Sequence, residues 1–458
     1  MRVLKFGGTS VADAAAIERL VAIVTGRGGP RTVVVSALSG VTDRLIDTGV
    51  VAAGDLASAQ ATLAEIMTRH AEVAGALGSP AARPMVDAML RGIGRGAERT
   101  LEDIAAAGSV TPPLFDKLVA CGELWSSRLV AAFLTDAGVP VQWIDARHVV
   151  HTDDRHRHAA PDLAATERAV QRLVRPALAL DRVVVLGGFI GAGPGGATTT
   201  LGRGGSDYSA ALMGACLLAD EIEIWTDVDG VMSADPRIVA RARVLSTLSY
   251  EDAATLATFG AKVLHPKTIE PAASNGIPVR VLNSRRPLEP GTLIDGSGPS
   301  DAGYAAVASR AGLCLIEMTA TMPHTDRAFT AKALQALADA HVTVVVGEVH
   351  KDRLVVAVDH GFDLEALRAK VATFAEVRAR TGFSAVCAVG DRLANNPRLV
   401  TAALALLHDR TVHLMARPGG ASAFAVVVDD FDVHRLVAQL HDSFDAADAP
   451  VVRVKVAS

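Results

Sequence analysis

The sequence predicts an α/β protein: a mainly parallel, doubly wound sheet followed by a tandem α+β module. Three observations predict it. Over roughly the first 290 residues short apolar runs alternate with helical periodicity, the alternation that builds parallel sheets with ligand loops at strand C-termini. Around residues 287–300 the composition turns to Pro, Gly, Ser and Asp without apolar periodicity, which marks a linker. Beyond the linker, two stretches of about 70 residues share one βαββαβ-like plan.

The elements follow in order. Val3-Leu4-Lys5-Phe6 is a short strand and Gly7-Gly8-Thr9-Ser10 its loop. A helix then carries Ile17, Leu20, Val21 and Val24 at i, i+3, i+4 and i+7, and Ser10 with Asp13 forms a capping-box signature at its start. Residues 32–35 are an apolar, β-branched strand with a polar, Gly-bearing outlet at 36–42. The Ala-rich stretch from 51 to about 110 is helical in pattern, an insertion or flanking bundle ended by Pro112-Pro113. A helix over 118–137 and a strand over 139–144 come next. The buried-strand run 183–186 empties into Gly187-Gly188-Phe189-Ile190-Gly191, and the polar 198–205 stretch leads into a helix over 206–218. The strand 221–225 ends at Thr226-Asp227-Val228-Asp229-Gly230. In the tail, the first repeat reads strand 313–318, helix 328–340 and strands 342–346 and 354–358. The second reads strand 385–389, helix 398–407, strands 412–415 and 423–428 and helix 433–444. Nothing in this tail resembles a nucleophile, a metal cluster or a phosphate loop.

Composition narrows the function. The chain has 458 residues, 50% apolar and 21% charged, with a net charge of −5, which argues for packed cores and against a dedicated nucleic-acid binder. Aromatics at 4% are too few for a base-stacking platform. Mean hydropathy is +0.30, yet no uninterrupted apolar run approaches the ~18–20 residues of a spanning helix, so no membrane partner is expected. Cys121, Cys216, Cys314 and Cys387 stand far apart without CxxC spacing, and the N-terminus lacks a signal-peptide h-region; both point to a reducing cytoplasm.

Several motifs carry chemistry. Gly191-Ala192-Gly193-Pro194-Gly195-Gly196 formally fits GxGxxG, but a Thr run follows where a helix should open, so the match is chance; no GxxxxGK[ST] exists. Lys5 beside a Gly-Gly turn at a helix N-terminus has the parts of a phosphate cradle, and equally those of an edge-strand lysine with a tight turn. In Leu201-Gly202-Arg203-Gly204-Gly205-Ser206-Asp207 the glycines admit a ligand to the backbone and Arg203 suits a carboxylate, while Asp207 is also what a helix dipole favours in a first turn. Gly260-Ala261-Lys262 places another lysine near a glycine, which a solvated helix end would also do. His148, His151, His156 and His158 crowd one loop with Asp153 and Asp154, without known ligand spacing for a metal.

Taken together, Lys5-Phe6-Gly7-Gly8-Thr9-Ser10, Ser36-Ala37-Leu38-Ser39-Gly40-Val41-Thr42-Asp43, Gly122-Glu123-Leu124, Gly188-Phe189-Ile190-Gly191, residues 198–207 and 225–230, Asp235-Pro236-Arg237 and residues 260–266 resemble, in order, the amino-acid kinase family and within it the aspartate kinases. The tail resembles their paired ACT domains. The resemblance implies an amino-acid-kinase-type sandwich over 1–297, with a helical insertion at about 51–113, and a tandem ferredoxin-like ACT module over 298–458. Its first ACT domain would span about 312–380, inserted into a second of about 381–458 plus a strand at 304–310.

The implied reaction transfers the ATP γ-phosphoryl group to the β-carboxylate of L-aspartate, giving 4-phospho-L-aspartate and opening the route to lysine, threonine and methionine. Such a transfer asks chiefly for positioning and charge neutralisation, and a carboxylate nucleophile needs no general base. By resemblance Lys5 meets the transferring oxygens, Lys262 assists on the nucleotide side, and Asp207 organises the site near a Mg²⁺ carried mainly by ATP. Glu123 takes the substrate ammonium and Arg203 its α-carboxylate, with Ser36, Thr42, Phe189 and Gly204 completing the pocket. Gly7, Gly8, Thr9, Ser10, Thr226, Asp227, Met232 and Arg237 belong to the nucleotide side.

The resemblance also implies a homo-oligomer through the ACT domains and an amino-acid effector near Met322, Thr325, Glu348 and Ser422. Here the chain departs from the pattern. Where relatives carry a Ser/Thr-Ser-Glu segment, it reads Val346-Gly347-Glu348-Val349-His350-Lys351-Asp352, so lysine is expected to inhibit weakly and threonine is the better candidate. Two other readings stay open: an amino-acid kinase for a different acidic substrate, and a non-catalytic amino-acid sensor.

Overall fold

Strand and helix alternate as the apolar runs require. The computed structural model describes residues 1–458 except 81, 262–265, 297–305, 323–327, 391–392, 394–396, 419–422 and 448–458, together with the side chains of 266–267, 397–398 and 445–447. In chain order the elements begin with β1 (Arg2–Phe6), α1 (Ala14–Thr25), β2 (Arg31–Val35), α2 (Val41–Ala52), α3 (Leu56–Gly75), α4 (Arg83–Ala107) and α5 (Pro112–Asp136). They continue with β3 (Val141–Trp143), α6 (Leu163–Ala169), α7 (Arg175–Ala179), β4 (Val183–Gly187), β5 (Ile190–Ala192), β6 (Thr198–Thr200), α8 (Gly205–Leu217) and β7 (Glu221–Thr226). Next come β8 (Thr247–Ser249), α9 (Tyr250–Thr258), α10 (Pro266–Ser274), β9 (Val279–Asn283) and β10 (Thr292–Asp295). The tail holds β11 (Ala306–Ala320), α11 (Phe329–Asp339), β12 (Val344–Val349), β13 (Arg353–Asp359), α12 (Leu364–Val371), β14 (Ala375–Val389), α13 (Pro397–Ala405), β15 (Leu414–Ala416), β16 (Ala423–Asp429) and α14 (Val433–Ala447).

One unit comprises Met1–Gly230 with Val263–Gly296. Its sheet runs β3-β4-β2-β1-β7-β9-β10, parallel except for the β9–β10 pair. β1 and β4 are covered on both faces, which is why their sequences are continuous apolar runs rather than alternating ones. Lys5 is the exception in β1. Helix α1 is capped by Asp13, whose side chain accepts from Ala16 N at 2.8 Å; Ser10 does not cap it, because it lies inside a 3₁₀ turn over Gly8–Val11. Pro112 and Pro113 open α5 instead of only closing what precedes them, since a first helical turn needs no proline N–H. By length and composition α5 could cross a membrane, but 83% of its apolar window is buried by the protein itself. The GxGxxG stretch is the tip of a β5–β6 hairpin and opens no helix.

The other unit comprises Val231–Lys262 with Ser297–Ser458. The sequence assigns 231–262 to the first domain, but its apolar side chains belong to the second unit's core: Ala234 and Val239 pack with Val386, Leu436 and Val437. Ser233 Oγ also lies 2.9 Å from the buried His441 Nε2, and Val307 N donates to Ser233 O. An antiparallel six-stranded sheet runs β12-β13-β11-β14-β16-β15. β11 and β14 are 15 residues each and pair along their whole length, with Gly312 and Gly382 at φ +72° and +94° where the register shifts. Residues 306–310 pair with 385–389 in the second repeat, while 313–320 pair with 375–383 and with β13. Helix α12, capped by Asp363, is an element that apolar periodicity does not reveal: it buries only Leu367 and Val371.

Candidate active site

The loops that follow β1, β2, β4 and β7 leave their strands at the same end of a parallel sheet, so they converge without further instruction. Together with the 202–207 turn before α8 and one side chain from α5, they enclose a cavity of about 500 Å³. Lys5 reaches it from the end of β1, where its neighbours in the strand face the core. It is only 8% exposed, and its Nζ lies 2.5 Å from Asp207 Oδ1 in the first turn of α8. A buried ammonium needs such a partner, because an unpaired charge out of water is strongly penalised. The sequence's two readings of Lys5 are thereby separated: it is no edge-strand lysine.

The close approach of loops is arranged by small residues. A Cβ on Gly188 would stand 2.7 Å from Ser206 Cα, so only glycine lets the outlet of β4 meet the start of α8. Gly204, at φ +70°, caps that helix in a backbone conformation that side chains resist. Phe189 holds φ +66° without being glycine; its N donates to Ser209 Oγ at 2.9 Å and its carbonyl accepts from Leu201 N at 2.9 Å. A left-handed non-glycine residue at a cavity wall costs about 1–3 kcal/mol and persists only because such bonds fix it.

Glu123 projects from α5 into the same cavity at 3% exposure. Burial pushes its carboxyl up to about 8, opposed by the hydrogen bond from Ala37 N (3.2 Å, to Oε1) and by Lys5. Oε2 has no hydrogen-bond partner among the described residues. A buried carboxyl with one oxygen unsatisfied at a cavity wall can accept a cation once it ionises.

The structure brings together Lys5, Gly7, Gly8, Thr9, Ser36, Thr42, Glu123, Phe189, Gly204, Asp207, Thr226 and Asp227, all of which line the cavity. Ser10 does not: it is buried, and its hydroxyl donates to Ser284 Oγ at 2.8 Å, tying the turn after β1 to the end of β9. Arg203 is exposed between two lining glycines and makes no hydrogen bond or ion pair among the described residues. Met232 and Arg237 belong to the other unit, where Arg237 is exposed and bonded to Asp235 (Nη2–Oδ2 2.5 Å). Lys262, Thr325 and Ser422 lie outside the described residues. Met322 is exposed at the end of β11, and Glu348 on β12 accepts from Met415 N at 3.2 Å.

Ser39, Asp43 and Ser206, which fall inside the quoted motifs but carry no role in the sequence analysis, also line the cavity. Asp116 is absent from the motifs altogether. This fully buried carboxylate on α5 accepts from His156 Nδ1 (2.6 Å), Arg157 N (3.1 Å) and Thr200 Oγ1 (2.6 Å), pinning the His-rich loop and β6 just upstream of the 202–207 turn. Among the described residues no three His, Cys, Asp or Glu side chains gather as a metal cluster.

Residues 1–283 match the model of the amino acid kinase family. The lysine-sensitive aspartokinase 3 of Escherichia coli is 32% identical over 454 residues, covering 96% of this chain and 98% of that protein. A chloroplastic bifunctional aspartokinase/homoserine dehydrogenase 2 of Zea mays is 33% identical, and this chain spans half of its length. Among solved structures, E. coli aspartokinase III with aspartate and ADP, in its R-state, superposes with a TM-score of 0.86 at 31% identity over 97% of this chain and 100% of that one. The same enzyme with lysine and aspartate, in its T-state, gives 0.76.

Proposed function

The chain belongs to the amino acid kinase family, and from that premise we propose that it transfers the γ-phosphoryl group of ATP to the β-carboxylate of L-aspartate. The observation that carries this reading is the meeting, in one cavity, of the Lys5–Asp207 ion pair with the half-satisfied carboxyl of Glu123. An anion-neutralising centre and an ammonium acceptor across one pocket are what a phosphate donor and an α-amino acid require.

The chemistry then follows from charge. Aspartate's β-carboxylate is ionised near neutral pH and attacks without a base, so the absence of any Ser–His arrangement among the lining residues is no deficit. Lys5 sits where negative charge accumulates on the transferring oxygens, preorganised by Asp207 and sheltered from water, which makes its field strong. Glu123 accepts the substrate ammonium. Arg203, carried on a glycine-flanked turn, supplies a bidentate guanidinium for the α-carboxylate. The backbone of Gly7, Gly8 and Thr9 and the polar groups of Thr226 and Asp227 cradle the nucleotide. Carboxylate oxygens of Asp207 and Asp227 suit a hard cation, and Mg²⁺ arriving with ATP would find its donors there. That ion, when bound, offsets phosphate charge.

On this reading the C-terminal unit is the paired ACT module, which binds an amino-acid effector and joins copies of the chain. The four free cysteines suit a reducing cytoplasm. A coupled ADP-release assay with aspartate, glutamate and acetylglutamate tests the assignment. Turnover with aspartate at least a hundredfold above the others is expected; preference for either alternative overturns it.

A further inference from the structure

A second cavity, of about 460 Å³, lies between α4 and α5, on a different face of α5 from Glu123. Its charged lining is entirely cationic: Lys117 and Arg128 from α5 and Arg147 from the turn after β3. Arg147 is hydrogen-bonded to Asp145 (Nη2–Oδ2 2.6 Å, Nε–Oδ1 3.0 Å), and the same carboxylate attracts Arg128 through space. Arg128 lies over the Trp143 ring at 3.2 Å, and among the described residues its guanidinium donates no hydrogen bond. The ammonium of exposed Lys117 likewise has no partner among the described residues. Three cations against one nearby carboxylate leave an excess of positive charge around the hollow, which an anion seated there offsets.

The opposite wall points to an occupant with a body as well as a charge. α4 presents Gly92 and Gly96 to this cavity from its interior turns, where glycine weakens a helix. Packing explains the neighbouring Gly94, whose Cβ would stand 2.3 Å from Met67 Cε. It does not explain the other two. A Cβ on Gly96 would meet nothing within 4 Å, and one on Gly92 only the tip of Arg95 at 3.8 Å. The missing side chains widen the hollow instead of relieving a clash.

We propose that this cavity binds a small organic anion, a phosphate ester or a dicarboxylate with an apolar body, separately from the pocket that holds Lys5. Its occupancy reaches the first pocket by two short paths. Arg147 Nη1 donates to Thr198 Oγ1 at 3.3 Å, at the head of the β6 strand that leads into the 202–207 turn, and α5 carries Glu123 itself. The ligand therefore changes the aspartate KM more than kcat.

The test titrates the full chain calorimetrically with phenyl phosphate and with phthalate, using benzyl alcohol as the uncharged control. At least one anion should bind and the alcohol should not; the tighter of the two anions assigns the ligand to phosphate esters or to carboxylates. Gly96→Leu, which fills the hollow, and Lys117→Ala, which removes an exposed charge, should each weaken binding about tenfold or more, with activity in the absence of probe unchanged. Lys5→Ala should leave that binding unaltered, which separates this site from phosphate bound in the first pocket. Affinity that survives both Gly96→Leu and Lys117→Ala, or no anion binding to the wild type at about 10 mM, overturns the proposal.

Discussion

Aspartate affinity should depend on pH through Glu123. Burial holds this carboxyl at about 8, so near neutrality the free protein carries it mostly protonated. To receive a substrate ammonium it must ionise. At pH 7 only about one molecule in eleven is ready, which weakens aspartate binding roughly tenfold, or about 1.4 kcal/mol, relative to pH 9. The sign follows directly: aspartate KM should fall about tenfold per unit as pH rises from 6 to 7 and level off above 8. Calorimetry in two buffers of different ionisation enthalpy should find about 0.9 proton released per aspartate bound at pH 7. Glu123→Gln should raise KM and abolish the dependence. A flat wild-type profile without proton release, or a slope that persists in Glu123→Gln, would refute the assignment of Glu123 to the ammonium.

Three further outcomes are expected. Lys5→Ala should lower kcat by at least a hundredfold and, because Asp207 loses its counter-charge in a buried setting, also lower the melting temperature; more than a tenth of wild-type turnover would bound the catalytic effect below ~1.4 kcal/mol and contradict the role. Arg203→Lys should raise the aspartate KM strongly and leave the ATP KM nearly unchanged, since an ammonium cannot reproduce bidentate geometry; kinetics in which the ATP value moves instead would place Arg203 on the nucleotide. Half-inhibition by lysine should lie above a millimolar, because Glu348 already accepts from Met415 N and faces His350 at 3.6 Å; titration with lysine and threonine, separately and together, checks this against the lysine-sensitive E. coli relative.

Much of the site was legible because its chemistry is local. A lysine in an apolar strand, a Gly-Gly turn and LGRGGSD each fall within a few residues, and strand polarity alone sends them to one end of the sheet. What the sequence did not disclose is long-range. The burial of Glu123 depends on α5 being covered on nearly every side, and its missing partner for Oε2 is a property of the assembled pocket. Asp116 meets His156 and Thr200 across 40 and 84 residues, and no spacing rule connects them. Ser10 reads like its lining neighbours until the position of Ser284 turns it inward. The grouping of 231–262 with the tail rests on a shared apolar cluster that holds Val239 together with Leu436, and such packing leaves no mark in composition.

β11 and β14 each run unbroken through both halves of the C-terminal sheet. The two repeats are therefore not beads on a string. A cut anywhere near Gly312 or Gly382 severs two structural beams, not a tether, so neither half can be excised, exchanged or expressed alone without stranding the edge of the other. Grafting regulation from one enzyme to another must carry the pair as a single cassette. Evolution faces the same constraint, because a substitution that re-tilts a beam in one half is inherited at once by the other.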